Sequence, residues 1–418
     1  MYEAMIEILK TELVPALGCT EPIAIALASA KAREVLGEIP DDMYVECSSN
    51  IIKNAKSVVV PMTKNLKGIE AAAIVGMLGG NADKMLEVLT TVTEDNLNET
   101  KDLLSKGFCK TKLLETKDKL HLIVHMKKGN NTSLVELVKT HTGISRIEKN
   151  GVVLFSEKIE DINVSTVDYS VLNIASILDF ANNVDIEVVR PILERQIEFN
   201  TKIAKEGMRN TYGVNVGSTL IDVYGDDVKI RAKAMPAAGS DARMNGCELP
   251  VIINSGSGNQ GMTVSLPVIE FGNMLDVGEE KILRALCISN LISIYQKSEI
   301  GRLSAYCGAV SAAAGAGAGI TYLYGGQEEQ INQTIVNTLA NVSGIVCDGA
   351  KSSCAAKIAT AVDAAIVATM ITLKGKSFMS GDGIVKDTIQ KTIDGVVTLA
   401  KEGMRETDEV IVKIMLEQ

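Results

Sequence analysis

Tryptophan is absent from this 418-residue chain, and all aromatic side chains together make up only 4% of it. Its cores must therefore be built from Ala, Ile, Leu, Val and Met. An excess of positive charge is missing too. The formal net charge of −10 excludes non-specific nucleic-acid binding through a basic face. Histidine is scarce, with three copies at positions 121, 125 and 141, so zinc has few of the ligands it usually combines with cysteine. Met1-Tyr2-Glu3-Ala4 has neither the basic start nor the apolar run of a secretory signal, and a cytoplasmic location is expected. In that compartment the eight cysteines are expected to be free, catalytic or metal-bound rather than paired. Two windows are apolar enough to check as membrane spans. Cys307 to Tyr324 is mostly Ala and Gly, and Cys354 to Leu373 carries Lys357 and Asp363, so both are expected to be packed helices of a chain with no membrane partner.

What is present is an ordinary globular composition, 46% apolar and 22% charged, with length for two or three domains. Apolar spacing predicts a helix at the start, a break over Val14–Pro22, and a second helix from about Pro22 to Glu38. Thr20 is expected to cap that helix, with Glu21 and Pro22 in its first turn. Strands are expected over 43–50, 57–61, 111–115, 120–126 and 151–155. Helices are expected over 68–78, 86–105 and 133–140. After about residue 160 the pattern becomes helical, over 171–180, 188–204, 281–295, 303–314, 328–339, 354–372 and 384–401. The expectation is an α+β protein, with a small α/β domain over 1–160 and a mainly helical domain over 161–418. Ile203–Arg209 and Leu399–Arg405 share the pattern Ala-Lys-Glu-Gly-Met-Arg, read as two helices stopped at Gly.

Three cysteines lie among small residues. Cys347 and Cys354 are separated by six residues, and Cys307 heads an Ala/Gly tract forty positions before Cys347. Three thiolates could hold an iron–sulfur cluster and leave one iron open. They could equally be three buried small hydrophobes, and spacing alone leaves both open. A second stretch, Asn254-Ser255-Gly256-Ser257-Gly258-Asn259-Gln260-Gly261, follows an apolar run and clusters amides, hydroxyls and glycines as a carboxylate or phosphate site would. It is neither a Walker loop nor a dinucleotide fingerprint. Gly18-Cys19-Thr20 stands at a helix start. That position favours an anion and should lower the Cys19 thiol pKa, making it a candidate base or nucleophile. Arg243 could clamp a carboxylate.

Together Leu17–Pro22, Asp241–Met244, Asn254–Gly261 and Cys347–Cys354 resemble the L-cysteine desulfidase family, a relative of the iron–sulfur L-serine dehydratases. The resemblance implies a 4Fe–4S enzyme that turns L-cysteine into pyruvate, ammonia and hydrogen sulfide, with one iron not ligated by protein. It implies that Cys307, Cys347 and Cys354 ligate the cluster and that Cys19 is the candidate base. Gly18, Thr20, Glu21, Asn50, Arg243 and the residues Asn254, Ser255, Gly256, Ser257, Gly258, Asn259 and Gln260 are expected to bind an amino-acid substrate. No cysteine stands in the final segment Ile414–Gln418 to occupy the open iron, as one does in some serine dehydratases. A homodimer is the expected assembly. Alternatives are L-serine dehydration, a pyridoxal-phosphate lyase with Lys351 as the Schiff base, and a non-enzymatic binding protein.

Overall fold

In the computed structural model, residues 1–158, 167–301 and 304–416 are described. The expected domain boundary near 160 and the expected helix start at Leu303 lie outside the described residues. Helix α1 (Tyr2–Glu12) leads to strand β1 (Pro15–Leu17), and α2 (Thr20–Leu36) follows with Cys19, not Thr20, as its N-cap. Next come β2 (Asp42–Cys47), α3 (Ser49–Ala55), α4 (Ile69–Gly79), a 3-10 run over Ala82–Thr91, and α5 (Glu94–Ser105), opened by a Thr93/Asn96 capping box. Strands β3 (Cys109–Leu113), β4 (His121–Lys128), β5 (Asn131–Val138), β6 (Ile144–Lys149) and β7 (Val152–Ser156) complete a six-stranded sheet. Its order is β3-β2-β4-β5-β6-β7, with β2 and β3 parallel and the other pairs antiparallel. Helices α2 and α4 pack against it.

The rest of the described chain is almost entirely helical. It runs α6 (Ile174–Asn183), α7 (Ile186–Arg209), α8 (Val216–Tyr224) and α9 (Val228–Met244), then strand β8 (Pro250–Ile252) and α10 (Gly258–Leu275). It continues with α11 (Glu279–Ile300), α12 (Gly308–Leu323), α13 (Glu328–Val342) and α14 (Cys354–Leu373). After α15 (Ile389–Thr398) a π-helical turn over Leu399–Gly403 leads into α16 (Arg405–Leu416). The protein is α+β. Helix α12 is central, touching α10, α11, α13 and α14, and its Ala/Gly composition lets those neighbours approach closely. Helix α14 is long and apolar enough to cross a membrane, and just over half of its apolar stretch is buried inside the protein.

Two large apolar cores result. One joins α2, α4 and the sheet. The other gathers the helices after residue 172 together with Met5, Ile8, Leu9, Leu13 and Ala16, so α1 and β1 pack with the helical region. Strand β1 pairs antiparallel with β8, Pro15 opposite Ile252, and ties the N-terminus there.

Several sequence expectations need correction. The helix expected over 133–140 is strand β5, whose Ser133, Val135 and Leu137 alternate inward between β4 and β6. The 57–61 strand is reduced to a single bridge, Val59 to Lys67. The strand expected to reach Asn50 stops at Cys47, and α3 begins at Ser49. Helices α8, α9 and α10 carried no sequence expectation. Pro236 and Pro267 lie inside α9 and α10, and most side chains there are buried, which weakens the amphipathic signal. Gly207 does not stop α7. It sits inside the helix at the crossing with α9, where a Cβ would stand 2.0 Å from the Ala238 carbonyl oxygen. The other copy, Gly403, does end its π-turn. Gly207→Ala should therefore destabilise the protein by about 3 kcal/mol through overpacking, read as a lower denaturant midpoint with an unchanged slope.

Candidate active site

The cysteine-bearing segments are stitched together by backbone. Tyr306 bridges Val346, the Cys307 N–H donates to the Ile345 carbonyl at 3.1 Å, and the Cys347 N–H donates to Ala305 at 2.6 Å. Cys307 caps α12, Cys347 lies in the loop, and Cys354 is the first residue of α14. Within that loop Asp348 pairs with Lys351 and Lys357. Gly349 has a φ of +95°, and a Cβ there would lie 2.0 Å from the Lys53 carbonyl oxygen of α3. Only glycine satisfies both demands. Lys53 is itself buried and salt-bridged to Asp408 of α16.

All three cysteines line one cavity of about 730 Å³. So do Cys19, Thr20 and Glu21 from α2, Arg243 from α9, and Ser255, Gly256, Ser257, Asn259 and Gln260 around the start of α10. Ser257 caps α10 by accepting the Gln260 N–H at 3.4 Å, so the helix presents its positive N-terminal end to the cavity. Arg243 is buried and donates through Nη1 to Asn259 Oδ1 at 3.2 Å, while its Nε has no partner. Gln260 Oε1 is likewise buried and unpartnered. A free donor and a free acceptor on one cavity wall suit a zwitterion, whose carboxylate and ammonium demand the opposite groups.

At the α2 end, the Cys19 thiol donates to Glu21 Oε2 at 2.9 Å. Burial and the Glu21 carboxylate push the thiol well above its ordinary range, outweighing Arg243, so Cys19 rests protonated. The expected lowering at a helix start is overturned by desolvation. Burial also pushes the Glu21 carboxyl up, but His141 and the Cys19 thiol overcome it and hold the group down to about 2. His141 Nε2 is 3.9 Å from Glu21 Oε1, beyond hydrogen-bond reach but close enough for charge attraction. Glu21 is thus held as an anion at this end of the site.

Four expected residues lie off the cavity wall. Gly18 packs on Pro61. Asn50 is buried in α3, with its neighbour Asn54 on the wall instead. Asn254 is wholly buried and spends its side chain on Asn290, Ser255 and Ser293, anchoring the loop to α11. Gly258 begins α10 beside the Arg243 guanidinium. Lys351, the Schiff-base alternative, braces its own loop through the Asp348 and Gly349 carbonyls and is not on the wall. Conversely, His141 and Lys297 line the cavity without any sequence expectation. His141 sits in a loop after β5 and Lys297 in the last turn of α11, each a lone residue with no motif around it.

Residues 83–413 match the serine dehydratase alpha chain family. The chain belongs to that family. It is also 87% identical to a UPF0597 protein of Lachnoclostridium phytofermentans, covering all of both chains. UPF0597 proteins of Desulfitobacterium hafniense and Treponema denticola are 53% and 49% identical, covering 100% and 99% of this chain and 97% and 98% of theirs. The family is of lyase type and associated with iron–sulfur clusters. The donor set of this member fits such a cluster. Among the described residues no three His, Cys, Asp or Glu side chains form a cage for a single metal ion. An iron–sulfur cluster takes thiolate ligands, and three cysteine thiols line this one cavity. Burial pushes the Cys307 thiol up to about 12 and raises Cys354, with Cys347 adding charge repulsion at each.

The Glu21 carboxyl supplies a pH test. Its folded value of about 2 lies below its ordinary 4.5, so its stabilisation is present above pH 4.5 and is lost as pH falls toward 2. Glu21→Gln should cost ~3 kcal/mol at neutral pH, with the gap to wild type closing over that window in denaturation series.

Proposed function

We propose that this family member is an iron–sulfur-dependent L-cysteine desulfidase, converting L-cysteine to pyruvate, ammonia and hydrogen sulfide by β-elimination. The observation that carries the reading is three thiols facing the same cavity as the unpaired Arg243 Nε and Gln260 Oε1. Cys307, Cys347 and Cys354 would hold a 4Fe–4S cluster with one iron free of protein ligands, which supplies a Lewis acid suited to sulfur. Arg243 and the N-terminal end of α10 receive the substrate carboxylate. Gln260 Oε1 accepts from the α-ammonium. Cys19 takes the α-proton. It rests as a thiol, so its own proton must first pass to solvent water in the cavity, and Arg243 is the neighbour whose charge favours the thiolate. Glu21, held ionised, orients the sulfur through their hydrogen bond. As the C–S bond breaks, its electron pair stays on sulfur and aminoacrylate remains, which hydrolyses in water to pyruvate and ammonia. All eight cysteines are free thiols, in keeping with a reducing cytoplasm. We take a homodimer as the working assembly and invoke no nucleic-acid or membrane partner.

The family description favours a second substrate, L-serine, with hydroxide in place of hydrosulfide as the leaving group. Anaerobic loading with iron and sulfide, followed by pyruvate assays on both amino acids, separates the two. A higher kcat/KM on L-cysteine is expected, and a clear preference for L-serine overturns the substrate assignment. Cys19→Ala should lose two to four decades, roughly, in kcat while keeping its iron. Near-normal turnover would remove Cys19 from the base role. Serine at any of positions 307, 347 or 354 should lower iron content as well as activity.

A further inference from the structure

Helix α14 is apolar along its length, yet a little under half of that stretch faces outward. Its outward side carries one stripe, Ala356, Thr360, Asp363, Val367, Met370 and Lys374, in alternating steps of four and three residues. Met370 is half-buried and the other five are exposed. This is the spacing of a seam along which two helices pair. Helices α9, α12 and α13 cover the other sides of α14. The outer stripe of such a helix is ordinarily charged and polar throughout. Here it has one acid and one base, with Val367 45% exposed between them. Beside the stripe lies a groove of about 530 Å³ lined by Ile230, Val367, Met370 and Ile371, with Tyr224 of α8 there 66% exposed. Its charged residues nearly balance, Asp227 and Asp363 against Lys229, Lys233 and Lys374. On a chain of net charge −10, two copies repel one another least across such a face.

The occupant follows from the symmetry of the stripe itself. Asp363 and Lys374 are equally far from the point between Ala368 and Thr369, and so are Val367 and Met370. If two copies of α14 run antiparallel about a two-fold axis at that point, Asp363 of one protomer faces Lys374 of its partner. The axis makes that pair twice, and Val367 meets Met370 twice between them. Asp363 accepts from Lys233 of its own chain through Oδ1 at 2.7 Å, but its side chain stays 53% exposed. A lipid surface would also take an apolar helix face. It gains nothing from opposite charges matched about a centre, and Asp363 is costly there. We propose that the α14 stripe and the groove beside it form the interface of a two-fold homodimer with the two α14 helices antiparallel. The proposal does not depend on the elimination chemistry. The helix that meets the partner begins at Cys354 on the cavity wall, so the interface braces one edge of the site.

Sedimentation equilibrium of the full chain at micromolar concentration tests this, with circular dichroism to confirm that each variant folds. The wild-type chain should be a dimer. Val367→Glu, which sets two like charges near the axis, should weaken it about a hundredfold. Lys374→Glu, which faces Asp363 with a second acid, should weaken it about tenfold. The exchange Asp363→Lys with Lys374→Glu should recover most of that loss, because the pair is remade with its signs reversed. A monomeric wild-type chain overturns the proposal, and so does a dimer indifferent to Val367→Glu. A dimer that ignores Lys374→Glu, or that the double exchange fails to restore, overturns the antiparallel arrangement and the proposal with it. A chain that is monomeric alone and sediments with phosphatidylcholine vesicles would assign the stripe to a lipid surface, which also overturns it. If Val367→Glu does not fold, Lys374→Glu and the double exchange decide, since both change exposed positions.

Discussion

The site depends on one contact, the backbone of Gly349 lying against the Lys53 carbonyl of α3. It seats the segment carrying Cys347 and Cys354 on a helix from the sheet-bearing part of the chain, while the Tyr306–Val346 bridge ties the same segment to Cys307. Any side chain at position 349 would lift the loop and separate the thiols. A small cluster reflects the junction: Cys19, Val58 and Met244 pack together with Ala350 and Cys354 against them, drawing residues from both ends of the sequence. Lys53 can lie almost fully buried beneath this loop because Asp408 of α16 pairs with it. The last helix thereby helps to build the cavity, and Lys401 just before it is on the wall.

Polar groups around the cavity fall into two kinds. Asn254, Asn290, Gln196, Asn200 and Ser265 bond one another or nearby backbone and hold the start of α10 in place. Arg243 Nε, Gln260 Oε1 and His141 Nε2 are buried with nothing to bond. A buried donor or acceptor left unmade costs about 1–3 kcal/mol, so the fold bears a stability penalty at the wall where a ligand would sit. Satisfied amides position the wall, and the unsatisfied groups are the ones the proposed function assigns to a ligand. The acid–base balance follows the same geometry. Cys19 and Glu21 share one buried hydrogen bond, and the proton rests on sulfur because burial disfavours the thiolate while His141 favours the carboxylate's charge.

Much of this was legible in the sequence where the signal was local. Cys19 at a helix start, the turn before α10, and the small residues flanking Cys307 each follow from short-range chemistry, and the structure places all of them around one cavity. The misreadings arose where tertiary context outweighs local preference. Ser133–Thr140 reads as a helix in isolation, but pairing on both sides with alternate burial makes it a strand. Cys19 has the helix terminus that lowers a thiol pKa, yet complete burial beside a carboxylate reverses the sign. Asn254 looks like a ligand group until Asn290, thirty-six residues away, is seen to occupy it.

The sequence alone determined the chemistry available: which thiols, amides and cations exist, and which small residues permit close approach. Residue type and short spacing settle such things because they act within a helical turn or a loop. Only the tertiary structure decided which groups meet. Glu21, His141, Arg243 and Lys297 come from α2, a loop after β5, α9 and α11, and they share a cavity because the sheet layer and the helical layers close on one another. It also decided which of them keeps its charge. Burial and neighbouring charge are properties of the assembled site, and no spacing along the chain encodes them.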